Sequence, residues 1–134
     1  MVEKDYIMRI IHEVVRTILK LLFHIDEEKE EELVFLDGKI QDFYQRLCMM
    51  ADQGKINQAE NQLYEYLESQ DGSLEDKNPE NLKMALIFYE HLNTRSNDFL
   101  EDNDYSREEI AEGIKSIMKM YGYEGLADTL LENR

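Results

Sequence analysis

The stretch YIMRIIHEVVRTILKLLFHI, residues 6 to 25, runs straight into DEEKEEE, and the fold turns on how that pair is read. Ile7, Ile11, Val14, Ile18, Leu21 and Ile25 recur at alternating steps of four and three, which places them on one face of an α-helix. Met8, Ile10, Val15, Leu19 and Leu22 widen that face until more than half of the circumference is apolar. Arg9, His12, Glu13, Arg16 and Lys20 share the remaining strip, with Glu13 spaced to pair with Arg9 and Arg16. Charges at 9, 13, 16 and 20 interrupt every window long enough to cross a bilayer, so no transmembrane span is expected. A helix apolar around most of its girth has to be surrounded. Either it runs through the centre of the fold or a second subunit closes over it, and Ile7, Ile11, Val14, Ile18 and Leu22 are the candidate contact residues.

The acidic run has an ordinary place at a helix start. Asp26 is a candidate N-cap, and Glu27, Glu28 and Glu30 lie in a first turn, where the helix dipole favours negative charge. Leu33, Leu36, Ile40, Phe43, Leu47 and Met50 then keep one helical phase through Asp37 and Gly38, so the spacing predicts one helix over 27–52 with a weak point at that pair. Gly54 closes it. Ile56, Ala59, Leu63, Tyr66 and Leu67 predict a helix over 56–69, and Asn78 before Pro79 predicts the start of another over 79–95, carrying Leu82, Ala85, Leu86, Tyr89 and Leu92. The sequence Ser106-Arg107-Glu108-Glu109 is a capping box opening a helix over 106–121, and 124–132 makes a short last one. The expectation is an all-α compact bundle of about six helices in a single domain, 1–134.

Composition narrows the function classes. The chain has 134 residues, 43% hydrophobic and 34% charged, with a single proline, a profile of folded helical proteins. Its formal charge is -15. Residues 1 to 25 hold Lys4, Arg9, Arg16 and Lys20 against Glu3, Asp5 and Glu13, a net +1 that leaves -16 for the rest. Such a body repels phosphate backbones, so no nucleic-acid partner is expected. A basic protein for which this chain is an acidic decoy remains a candidate partner. Contact of helix 6–24 with a membrane surface is an alternative, since a basic strip beside an apolar face suits an interface. The six acids in residues 26 to 32 count against it on an anionic leaflet. Cys48 is the only cysteine, which excludes an internal disulfide and fits a reducing compartment, and nothing resembles a secretory signal. The expected address is cytoplasmic.

Residues 43 to 76, FYQRLCMMADQGKINQAENQLYEYLESQDGSLED, resemble a tetratricopeptide repeat in length. Gly54, Ile56, Ala59, Leu63, Tyr66 and Leu67 look like that repeat's turn glycine and second-helix packing positions. The resemblance implies two antiparallel helices in close contact at Ala59. Leu47 departs from it, standing where the repeat has a small residue. MRIIHEVVRTILKLLF joined to an acidic helical body also resembles an uncharacterised bacterial family, a domain of unknown function of the low-GC Gram-positive type. That likeness implies an all-helical fold and carries no site residues.

Motifs with chemistry were weighed against these helices. His12-Glu13 begins like the zinc-protease helix motif, but Arg16 stands where the second histidine belongs. Asp102, Asp104, Ser106 and Glu108 alternate as calcium ligands do, yet positions six and twelve of such a loop fall on Arg107 and Gly113 instead of glycine and glutamate. No phosphate loop, nucleophile elbow or Cys/His pair is visible. No catalytic residue, metal or cofactor is therefore expected. The reading is a non-catalytic, protein-binding helical protein, with a homodimer through the first helix as one form. Tyr64 and Tyr89 join its candidate contact residues, because tyrosine rings cover apolar surface while their hydroxyls reach polar groups.

Overall fold

The computed structural model describes residues 2–25, 35, 37–70 and 77–132. Seven helices form there, with no strand among the described residues: α1 Val2–Phe23, α2 Gly38–Asp52, α3 Ile56–Ser69, α4 Pro79–Asn93, α5 Asn97–Asp102, α6 Arg107–Met120 and α7 Glu124–Glu132. The all-α compact bundle expected from the apolar spacing is what the chain forms. Local chemistry sets most boundaries. Asn78 caps α4 by accepting from the Glu80 amide at 2.9 Å, with Pro79 at the first helical position. The Ser106 hydroxyl caps α6 by accepting from the Glu109 amide, and it donates to the Glu109 carboxylate, each at 3.2 Å. Gly54 and Gly122 end α2 and α6 at φ of 89° and 84°, the left-handed region that glycine enters without a Cβ penalty.

The single helix expected over 27–52 is corrected at its start. The Asp37 carboxylate accepts from the Lys39 amide at 2.8 Å, so α2 begins at Gly38, and Phe35 is not helical. Residues 27–34, with the proposed cap at Asp26, lie outside the described residues. Apolar phase is preserved across the Asp37-Gly38 pair, but a short acid before glycine offers the backbone a cap at the same place, and the cap prevails. The helix expected over 79–95 ends at Asn93, and a further helix, α5, follows it. Ser96 caps α5 by accepting from the Phe99 amide at 3.0 Å. Six residues are too few for an apolar repeat to declare itself, which is why periodicity passes over α5.

The central element is α4, not α1. Every residue from Asn81 to Tyr89 is buried, as are Leu92 and Asn93, and α1, α2 and α6 all pack against this helix. Its run MALIFY, residues 84 to 89, is the sequence mark of burial on all sides. The first helix buries only part of its girth: Ile11, Val14, Val15, Ile18 and Leu19 are inside, while Tyr6 and Leu21 are 52% and 55% exposed. It lies on α4, α6 and α7 as an outer layer.

One buried cation ties these layers together. Arg107, 4% exposed, sits at the first position of α6 and reaches back to the end of α4. Its guanidinium donates to the Asn93 carbonyl at 2.8 Å, the Asn93 side-chain oxygen at 3.0 Å, the Arg95 carbonyl at 2.7 Å and Asn97 Oδ1 at 3.0 Å. Asn93 in turn donates to the Met8 carbonyl at 2.9 Å, which carries the network into α1. The last carbonyls of a helix have no partner within it, and a cation there also meets the negative end of its dipole. Arg107→Met is expected to destabilise the fold by about 3 kcal/mol, because two buried and two partly buried acceptors lose their donor. Arg107→Lys should recover little of it, since an ammonium cannot reach four acceptors in one plane. Urea unfolding followed by circular dichroism measures both, and an unchanged midpoint in either variant contradicts the assignment.

Candidate functional site

Ile11, Val14, Ile18 and Tyr89 are 0 to 1% exposed, buried within the chain's own core, while Ile7, Leu22 and Tyr64 are half-buried at its edge. On its outward side α1 leaves Tyr6 and Leu21 exposed, with Ile10 half-exposed between them, while the exposed Met8 lies about 160° around the helix from Tyr6. Tyr6, Ile10, Thr17 and Leu21 recur at steps of four, seven and four, a second stripe beside the buried one. Sequence reasoning merged the two stripes into one broad apolar face, although Thr17 within the outer stripe is the signal that separates them. A shallow groove of about 510 Å³, open to solvent, is lined by Tyr6, Arg9, Ile10 and Glu13.

A second feature joins α3, α4 and α6. Glu60 Oε2 accepts from the Tyr89 hydroxyl at 2.6 Å and from the Tyr105 hydroxyl at 2.9 Å. The Tyr64 and Tyr89 oxygens are 3.2 Å apart, and Tyr64 donates to the Gly113 carbonyl at 3.4 Å. Burial, reinforced by the neighbouring phenols and by Glu60, pushes the Tyr89 hydroxyl far above the ordinary phenol value, and burial followed by Glu60 does the same to Tyr105. Both are therefore neutral donors to one carboxylate. Above them an open groove of about 600 Å³ is lined by Glu60, Asn61, Tyr64, Glu109, Glu112, Gly113 and Ser116. Its mouth is acidic, while the buried phenols serve to satisfy Glu60.

The third cluster lies between α2 and α4. Asp52 pairs with His91 Nε2 at 2.8 Å and with Arg95 at 3.4 Å. Cys48, one turn before Asp52, is half-buried, and burial raises its thiol to about 11 even though the hydrogen bond with Tyr44 lowers it. At neutral pH the sulfur stays protonated and packs at the edge of the core. His12 Nδ1 meets Glu90 Oε2, joining α1 to α4. Among the described residues no three His, Cys, Asp or Glu side chains are placed to hold a metal ion. No helix among them is long and apolar enough to cross a membrane. Asp104 and Ser106, read as alternating acidic-loop residues, form the link into α6, with Asp104 at φ 56° and Ser106 as the cap.

Fold and surface together define an all-α bundle whose buried polar groups hold helices together and whose outer helix carries an apolar stripe. The chain matches the family of unknown function DUF6483 over residues 1–122 and belongs to it. No curated protein and no solved structure matches it.

Two measurements check the internal assignments. A Cβ at Gly113 would stand 2.3 Å from Tyr89 Cζ and 2.4 Å from its hydroxyl oxygen. The ring lies in the core, so Gly113→Ala is expected to cost about 1 to 3 kcal/mol from overpacking, partly offset by about 1 kcal/mol of helix propensity. A urea midpoint at or above that of the natural chain contradicts this packing. The second measurement is alkaline titration. Tyr44, Tyr64, Tyr66, Tyr89 and Tyr105 are raised by burial, Tyr121 is pushed up to about 12, and Cys48 to about 11. Their unfolded-state values are about 10 for tyrosine and about 8.5 for cysteine. Between the unfolded and folded values the unfolded chain binds fewer protons than the native one, so stability falls as pH rises. The part of the stability that these groups set should be constant below about pH 8, fall from there, and fall steeply above about pH 10. Tyrosinate absorbance should then rise together with loss of helix. Free titration of all eight tyrosines near pH 10 with the helix intact would contradict it.

Proposed function

We propose that the chain is a non-catalytic helical protein that acts through protein contacts, with the outward face of α1 as its working surface. One observation carries this reading. Of the five large apolar side chains left exposed among the described residues, Tyr6, Met8, Leu21, Met49 and Tyr123, Tyr6 and Leu21 share the outward stripe of α1 with half-exposed Ile10. Exposed apolar residues scattered singly need no explanation, whereas their grouping marks a contact surface. Ile7 borders it, so the first helix serves the core with one side and a partner with the other. The occupant is a second copy of the chain, as a homodimer, or a different protein. The same proposal takes the α2–α3 hairpin as tetratricopeptide-like packing and the chain as a cytoplasmic protein of the low-GC Gram-positive type. The free Cys48 fits that compartment.

Site-specific photo-crosslinking in the native cell tests the surface. A photoreactive residue at Tyr6 or Leu21 is expected to give adducts with a polypeptide, and one at Asn61 on α3 to give none. An adduct at twice the mass of 16.0 kDa identifies a second copy. Adducts of equal yield from all three positions, or none from α1, would remove α1 as the working surface.

A further inference from the structure

Two strips lie side by side on the outward arc of α1. At 100° per residue, Arg16, Arg9, Lys20 and Glu13 fall within about 60°, and Tyr6, Thr17, Ile10 and Leu21 within the next 60° or so. Arg9 and Lys20 are exposed and Arg16 half-buried, and among the described residues none of the three is in an ion pair. The Arg16 Nε is buried without a hydrogen-bond partner. The first 25 residues carry a net charge of +1, against -16 for the remainder. From these observations we infer that α1 is a docking site for an acidic amphipathic helix of another protein, an inference that rests on α1 being the working surface. The partner's apolar side chains lie on Tyr6, Ile10 and Leu21, and its aspartates or glutamates meet Arg9, Arg16 and Lys20.

The charge pattern favours this occupant over a second copy. Laying two α1 stripes antiparallel, with Tyr6 on Leu21 and Ile10 on Thr17, brings Glu13 level with the other copy's Glu13. It also sets Arg9 between the other copy's Arg16 and Lys20. These like-charge contacts work against association. The outward side of α3 is polar, with Asn57, Gln58, Asn61, Gln62 and Glu65 exposed, and offers no apolar stripe to take α1 either. The acidic body repels an acidic partner at long range, but at physiological salt charges are screened beyond about 8 Å, and within the strip three cations outnumber Glu13.

The test uses the full chain and two labelled helical peptides of about 20 residues, long enough to span the strip at 1.5 Å per residue. Both carry the same leucine stripe, one flanked by glutamates and the other by lysines, and binding is read by fluorescence anisotropy. The glutamate peptide is expected to bind about tenfold more tightly, the size expected from three exposed charge contacts of opposite sign in the two peptides. Added salt should weaken it, and the double variant Arg9→Glu, Lys20→Glu should invert the preference while its circular dichroism stays unchanged. Equal binding of both peptides, lost in Leu21→Glu, overturns the charge inference and leaves α1 as a contact surface. Binding of neither peptide overturns the inference, and the photo-crosslinks from Tyr6 and Leu21 then decide separately whether that surface stands. Flotation of the chain with vesicles of anionic phospholipid, without peptide binding, overturns it in favour of a membrane surface.

Discussion

The buried guanidinium of Arg107 is the constraint from which the rest of the arrangement follows. A cation in the interior needs oxygen acceptors, and here it finds them where a helix cannot use its own, at the Asn93 carbonyl that ends α4 and the Arg95 carbonyl just past it. Meeting them fixes three things together. The chain must end α4 at Asn93, α6 must start directly over that end, and α5 must supply Asn97 between them. Asn93 passes the constraint to α1 through the Met8 carbonyl. The helices thus meet at a polar junction beside the apolar core, and the junction sets their relative height in a way that interchangeable leucines and isoleucines do not.

With α4 fixed at the centre, the role of α1 changes. A helix inside the bundle would have spent its whole apolar circumference on the core. As an outer layer it spends one side, and Tyr6, Ile10 and Leu21 are left beside a basic strip on an acidic protein. Core and proposed working surface are thus two faces of the same 22 residues. The interior tyrosines show the opposite economy. Their rings fill the space between α3, α4 and α6 and their hydroxyls converge on Glu60, so a group that reads as surface chemistry in the sequence is committed to holding helices together.

Much of the fold is legible residue by residue. The cap at Asn78-Pro79, the cap at Ser106 and the closing glycines Gly54 and Gly122 act within one turn of chain, so their chemistry is complete in the sequence. The same is true of the apolar phase of α1, α2, α3, α4 and α6. What misleads is a signal of equal strength pulling two ways, as at Asp37-Gly38, where the stripe continues but the carboxylate caps. A segment shorter than the period needed to recognise it, α5, is passed over for a related reason.

The sequence by itself determined that this is an all-α chain, where most helices begin and end, and that its first helix is too charged to span a membrane. Each of these rests on interactions between residues a few positions apart. Only the tertiary structure decided which helix is central, because burial on every side depends on how many neighbours arrive, and six residues of MALIFY weigh no more in a periodicity than the stripe of α1. It also decided that Arg107 faces inward and that Tyr89 is core while Tyr6 and Leu21 are surface. Those outcomes depend on groups 14 or more residues apart meeting in space, as Asn93 and Arg107 do, and no local pattern encodes such a meeting.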